Sequence, residues 1–170
     1  MNIDAVLADA LSRVREQLPA VVSGLDEEDL AWRPDPDANS IAWLVWHLTR
    51  VTDDHVAAVA GTDQVWTSDG WYERFGLPYP AADHGYGHTS ADVAAAKVPA
   101  DLLAGYHDAV AAAVLEFVAT LSPSDLDRVV DESWDPPVTL GVRLVSVVNE
   151  VNQHLGQAAY VRGLLERRTA

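Results

Sequence analysis

The sequence contains no cysteine, and this excludes several kinds of chemistry. Without thiols the chain forms no disulfide bond, offers no thiolate ligand to zinc and has no cysteine nucleophile. If thiol chemistry takes place on this protein, the sulfur must therefore arrive on a small molecule. Signatures of several enzyme classes are also missing: there is no GxSxG, no HExxH, no phosphate-binding loop and no dinucleotide fingerprint.

Positive charge is scarce. The chain has 11 lysine and arginine residues against 26 aspartate and glutamate residues, which gives a formal net charge of −15. A nucleic-acid-binding protein needs a basic surface to replace the counterions of the phosphates, so neither DNA nor RNA is expected as a partner. The same reasoning excludes an anionic membrane surface. The acidic excess is typical of a soluble protein.

Long hydrophobic runs are absent as well. No window approaches the roughly 18 uninterrupted apolar residues of a membrane span, and residues 1–18 carry charges throughout, unlike a signal peptide. We therefore expect a cytoplasmic protein that neither spans nor binds a membrane. A chain of 170 residues suits a single domain over residues 1–170.

The sequence does contain a helical pattern of apolar residues in four long segments. Apolar side chains recur at steps of three and four over residues 3–25, 41–58, 102–121 and 140–165, which predicts four helices. Residues 62–90 lack this period and are rich in aromatic residues, proline and glycine. They predict a long loop between the second and third helices. The predicted fold class is all-α, a four-helix bundle.

Three polar side chains interrupt the apolar faces of these helices. His47 lies between Leu44 and Val51 on the second helix, and Glu150 and His154 lie one turn apart on the fourth. An ionised glutamate in a core is costly unless it is paired or bound to a metal. Imidazole nitrogen and carboxylate oxygen are both zinc ligands, and three of them leave a fourth position open. The pattern therefore indicates a candidate metal site.

A second interpretation of these residues is open at this stage. With six histidines and 26 acidic residues, about one acid–histidine pair at i, i+4 is expected by chance (~6 × 26/170). Glu150 could be a surface residue beside a core histidine whose hydrogen bonds the protein itself satisfies. The spacing alone does not decide between a metal site and this arrangement.

The loop contains a competing pair of histidines. His84 and His88 have the spacing of a helical ligand pair and Asp83 lies beside them, but two glycines in residues 83–88 predict an irregular turn. This segment is either a solvated turn or a cover for the site. In the second case it offers Tyr86 or His88 to a substrate.

Two further histidines lie on predicted helices. His55 follows Asp54 on the second helix, where it either orients a ligand or lies at an exposed helix end. His107 lies between Tyr106 and Asp108 on the third helix, and we predict that it is solvated. Neither is predicted to bind the metal.

Two segments resemble motifs of the DinB/YfiT-like metalloenzyme superfamily. They are residues 39–48 (NSIAWLVWHL) on the second helix and residues 153–163 (QHLGQAAYVRG) on the fourth. The order of elements matches over roughly residues 1–166. The resemblance implies a DinB-like helical bundle with a metal site, and the two motifs are fairly specific when they occur together.

The sequence departs from the superfamily pattern at one ligand. The usual set is one histidine on helix two and His-x-x-x-His on helix four, whereas Glu150 stands in the first helix-four position. A His, Glu, His set is similar to the zinc site of the mycothiol-dependent maleylpyruvate isomerase branch. The resemblance thus implies that His47, Glu150 and His154 hold a divalent metal, with Zn²⁺ favoured, and that mycothiol is the co-substrate.

The resemblance also implies a class of reaction. The isomerase branch carries an additional C-terminal domain that contributes to its active site. Residues 1–170 do not contain such a domain, so we expect thiol transfer rather than isomerisation. The predicted activity is conjugation of mycothiol to a small electrophile through a metal-bound thiolate, with Tyr86, His88 and Gln157 as substrate contacts. The alternatives are a metal-dependent hydrolase and a non-catalytic binding bundle with a vestigial metal site. We expect a monomer or a homodimer.

Overall fold

Four long helices build the fold in a computed structural model that describes residues 2–168. They are α1 (Ile3–Val22), α3 (Ile41–Ala60), α7 (Ala100–Ala119) and α8 (Leu140–Arg168). α3 packs against α7 and α8, and α1 packs against the same two helices, so all four share one hydrophobic core. The predicted all-α four-helix bundle is confirmed.

Short elements connect the long helices. The helical ones are α2 (Glu27–Ala31), α4 (Val65–Ser68), α5 (Trp71–Phe75), α6 (Ser90–Ala95) and a 3₁₀ helix at Pro123–Asp127, and the strands are β1 (Val129–Asp131) and β2 (Val138–Thr139). The strands pair antiparallel, with Val129 opposite Thr139. The loop predicted over residues 62–90 is therefore partly helical, because turns of four to six residues are too short to show an apolar period.

α3 is the most deeply buried helix of the bundle. The hydroxyl of Ser40 accepts a hydrogen bond from the amide of Trp43 and caps its start, and Gly61 ends it with a φ of +72°. Residues 41–50 are all buried. Any polar side chain on this stretch therefore lies inside the protein and needs a partner there.

By length and composition alone, α7 is long and apolar enough to cross a membrane. This was not predicted from the sequence, because charged residues interrupt the apolar run of this helix. In the fold it packs against α1 and α3 and buries seven side chains, so its apolar character serves the core. His107 is one of them and is 5 % exposed. The prediction that His107 is solvated is wrong, since two flanking helices bury a wider face of α7 than a single stripe.

Candidate metal centre

α3 and α8 bring together the three polar residues predicted on their apolar faces. Nε2 of His47 lies 3.2 Å from Oε1 of Glu150, and Nε2 of His154 lies 2.9 Å from the same oxygen. One potential ligand atom from each residue falls within 4.8 Å of the other two. Glu150 and His154 lie one turn apart at the edge of the buried face of α8, so both side chains reach towards α3.

Both histidines are held from the far side of the ring. Nδ1 of His47 lies 2.5 Å from the carbonyl oxygen of His84, and Nδ1 of His154 lies 2.7 Å from Oε1 of Gln157. A carbonyl oxygen can only accept, so the proton of each neutral ring belongs on Nδ1. The unprotonated Nε2 atoms then point at Glu150, as in metal-binding histidines whose second nitrogen donates to an oxygen.

The electrostatics of this cluster favour a cation. Burial lowers the pKa of His47, and its contact with the His84 carbonyl and the charge of Glu150 oppose the shift only in part. The neutral ring of His47 therefore presents a lone pair to a carboxylate oxygen. A proton on a ring nitrogen or a metal ion could each bridge these atoms, and the nitrogen and oxygen donors fit zinc or a similar divalent ion.

The loop after α5 covers one side of this cluster. The ring of Trp43 stacks on His47 with 4.6 Å between centroids, and Gly85 packs against both. Gly85 has a φ of +93°, and a Cβ there would lie 2.8 Å from Nδ1 of His47 and 3.0 Å from the ring of Trp46. Only glycine fits this approach. The loop is therefore seated on the cluster, in agreement with the cover interpretation.

Asp83 and His88 fix the conformation of that loop. The carboxylate of Asp83 lies 2.8 Å from Nε2 of His88 and accepts a hydrogen bond from the amide of Gly85. The indole of Trp43 donates to Nδ1 of His88 over 3.0 Å. The side chain of His88 is 8 % exposed, so this part of the loop is not a solvated turn.

The three predicted substrate contacts occupy different surroundings. Tyr86 is 89 % exposed at the tip of the loop. Both ring nitrogens of His88 already have protein partners, so a substrate would have to displace one of them. Gln157 is bonded to His154 and orients that ring. All three substrate contacts stay predictions.

Sequence reasoning missed a buried network that anchors the loop to α3. Arg50 is fully buried; its Nε donates to the carbonyl oxygen of Asp83 over 3.1 Å, and its Nη1 lies 3.6 Å from Asp53. Asp53 accepts hydrogen bonds from Tyr106 and from the first amides of α4. Burial raises the pKa of Asp53, and these hydrogen bonds counteract the shift. The spacing of Arg50 and Asp53, three residues apart on a helix with an apolar face, could have indicated this ion pair from the sequence.

His84 and His55 do not join the cluster. His84 contributes its backbone carbonyl to His47, and its ring provides no ligand atom to the group. Nδ1 of His55 lies 2.9 Å from Nη1 of Arg143 on α8. The competing ligand pair of His84 and His88 is therefore not formed.

Comparisons with known proteins agree with this architecture. The family model described as Mycothiol-S-transferase matches residues 6–167. The crystal structure of a conserved protein of locus from Enterococcus faecalis superposes with a TM-score of 0.91 at 31 % sequence identity, covering 97 % of this chain and 98 % of that one. No curated protein matches the sequence. The chain belongs to the mycothiol S-transferase family.

Proposed function

We propose that this protein is a metal-dependent S-transferase that conjugates mycothiol to a small electrophile. His47, Glu150 and His154 hold the metal, for which Zn²⁺ is the best match to the donor set. The observation that carries the proposal is the convergence of two Nε2 atoms and a carboxylate oxygen within 4.8 Å. The Nδ1 contacts of both histidines orient the rings so that their Nε2 atoms face Glu150.

The chain's own residues supply binding and orientation. A divalent ion held by His47, Glu150 and His154 would supply the positive charge that favours the ionised form of a thiol near neutral pH. Glu150 and His154 are partly exposed, so the cluster is open to solvent on the α8 side, while Trp43 and Gly85 close it beside His47. A small molecule would enter from the open side. The absence of cysteine agrees with a thiol that the substrate supplies.

Metal content and thiol consumption test the proposal together. We expect purified, untagged protein to bind one divalent ion per chain and to consume mycothiol in the presence of an electrophile panel. His154→Ala should lose the metal and reduce thiol consumption to the uncatalysed rate. Gln153→Ala, an exposed neighbour on α8, should change neither quantity.

The remaining outcomes separate the alternatives. If the protein binds metal but consumes no thiol with any electrophile, the transferase proposal is wrong and a hydrolase becomes the better candidate. If the protein binds no metal and His154→Ala leaves its stability unchanged, both enzyme proposals fail. A non-catalytic binding bundle would then be the better description.

A further inference from the structure

We propose a second binding site beside the metal centre: an anion subsite between α3, α8 and β1 that holds the carboxylate of the electrophilic substrate. The site is a cavity of about 300 Å³ lined by Arg128, Arg143 and His55, with only aliphatic residues completing its wall. The role in electrophile recognition rests on the proposed transferase function. Binding of an anion to the cavity does not.

Positive charge is concentrated at this cavity. The chain has only 11 basic residues against 26 acidic ones, and two of those arginines line a cavity of which no acidic residue forms part. Guanidinium groups bind carboxylates through paired hydrogen bonds. Because the protein has a net charge of −15, a substrate carboxylate can approach only where basic side chains face the solvent, as they do at this cavity.

Hydrogen bonds hold the lining groups in place. Nη1 of Arg143 lies 2.9 Å from Nδ1 of His55, and its Nη2 donates to Asp131 on β1 over 3.1 Å. An arginine can only donate, so Nδ1 of His55 accepts and the ring proton is on Nε2. Nη2 of Arg128 donates to the carbonyl oxygen of Val59. No carboxylate among residues 2–168 lies within 4.0 Å of the Arg128 guanidinium, although its charge adds to the hydrogen bonds from Ser122 that lower the pKa of Asp125.

The neighbouring acids define the charge of the ligand. Asp131 neutralises part of the charge of Arg143, and the carboxylate of Asp54 lies 3.8 Å from His55. Arg128 is the lining arginine that no carboxylate among residues 2–168 approaches within 4.0 Å, so its guanidinium is the group left to bind an anion. A monoanionic carboxylate can pair with this one guanidinium, whereas the neighbouring aspartates would repel a dianion about twice as strongly.

The cavity and the metal centre lie along the same pair of helices. His55 is eight residues beyond His47 on α3, and Arg143 is seven residues before Glu150 on α8. At 1.5 Å per residue these separations are about 12 Å and about 10 Å along the helices. The charges of Glu150 and His84 both influence the pKa of His55, so the two sites are in electrostatic contact. A substrate about 10 Å long could have its carboxylate in the cavity and its reactive atom at the metal centre.

Calorimetric titration of the metal-loaded protein with acetate, a monoanion, tests the subsite, with acetamide as a neutral probe of the same shape and sulfate as a dianionic one. We expect acetate to bind, acetamide not to bind and sulfate to bind more weakly than acetate. Arg128→Gln, on the exposed side of the cavity, should raise the Kd for acetate about tenfold by removing a charge-assisted hydrogen bond. Arg13→Gln, whose ion pair with Asp9 lies on α1, is the matched control and should leave the Kd unchanged.

A kinetic comparison separates this proposal from the transferase function. For an electrophile that bears a carboxylate, Arg128→Gln should raise KM, and for its methyl ester KM should not change. If transfer occurs and neither Arg128→Gln nor Arg143→Gln alters acetate binding or the KM of the acid, the subsite is refuted and the function stands. If acetate binds as expected but no thiol is consumed, the subsite stands and the function fails. If sulfate binds more tightly than acetate, the assignment of a monoanionic carboxylate is wrong.

Discussion

At the scale of single residues, the carbonyl oxygen of His84 and the ring of His47 form the closest contact between the loop and the candidate metal centre. The carbonyl of His84 accepts from that ring, and Gly85 follows it with a left-handed backbone that leaves no room for a side chain. The orientation of His47 therefore depends on a segment about 40 residues further along the chain. The orientation of His154 depends on Gln157, one turn along its own helix.

Gly85→Ala and Gly87→Ala form a matched pair of variants that tests the contact with His47. Both glycines have positive φ values, +93° and +80°, so alanine costs about 1–2 kcal/mol of backbone strain at either position. A Cβ at Gly87 meets nothing within 4 Å, whereas one at Gly85 meets His47. We expect Gly85→Ala to weaken metal binding, measured by competition with a chelator, and Gly87→Ala to retain it. Equal metal affinity in the two variants would contradict this role of Gly85.

At the scale of elements, the loop over residues 83–88 is attached to α3 at three points. The first is the contact of His84 and Gly85 with His47, and the second is the hydrogen bond from buried Arg50 to the carbonyl of Asp83. The third is the hydrogen bond from the indole of Trp43 to His88. The loop is thus part of the packed structure. Its position and the position of α3 are interdependent.

Arg50→Met tests the attachment of the loop to α3 through Arg50. The substitution keeps an apolar stem but leaves the buried carboxylate of Asp53 without its cation, which typically costs about 3–5 kcal/mol. We expect the free energy of unfolding, measured in urea, to fall by that order and the loop amides to exchange hydrogen faster. Arg74→Met, at an exposed arginine that stacks on Trp71, should cost about 1 kcal/mol or less. A similar loss in both variants would show that the buried ion pair contributes little.

The long helices and the cluster of His47, Glu150 and His154 were predictable because both follow from helical spacing. A side chain on an apolar stripe must point at the core wherever the helix lies. The network of Arg50, Asp53 and the loop was not predictable, since it depends on which loop carbonyl arrives beside α3. The short helices of the loop were missed because four to six residues are too few to show an apolar period.

At the scale of the whole molecule, stability depends on histidines that fold without a charge. Burial lowers the pKa of His107 to about 4, and its Nε2 has no hydrogen-bond partner. The ordinary pKa of histidine is 6.5 in the unfolded chain. The unfolded chain therefore takes up a proton that the folded protein cannot bind, so stability is lost as the pH falls from about 6.5 towards about 4.

Urea unfolding at two pH values measures this contribution. For the wild type, we expect His107 alone to lower the free energy of unfolding by about 2 kcal/mol between pH 7 and pH 5. His107→Gln does not titrate, so its free energy of unfolding should fall by about 2 kcal/mol less over the same interval. Other histidines titrate equally in both proteins and cancel in the comparison. Parallel pH dependence of the two proteins would contradict a neutral buried His107.

The contact between His47 and the loop has a consequence for sequence divergence. Because His47 is bonded to a main-chain oxygen, any amino acid at position 84 could supply the same acceptor. The next position is restricted to glycine by the rings around it. Adjacent residues of one loop are thus under opposite constraints, and we expect relatives to differ at position 84 and to keep glycine at position 85.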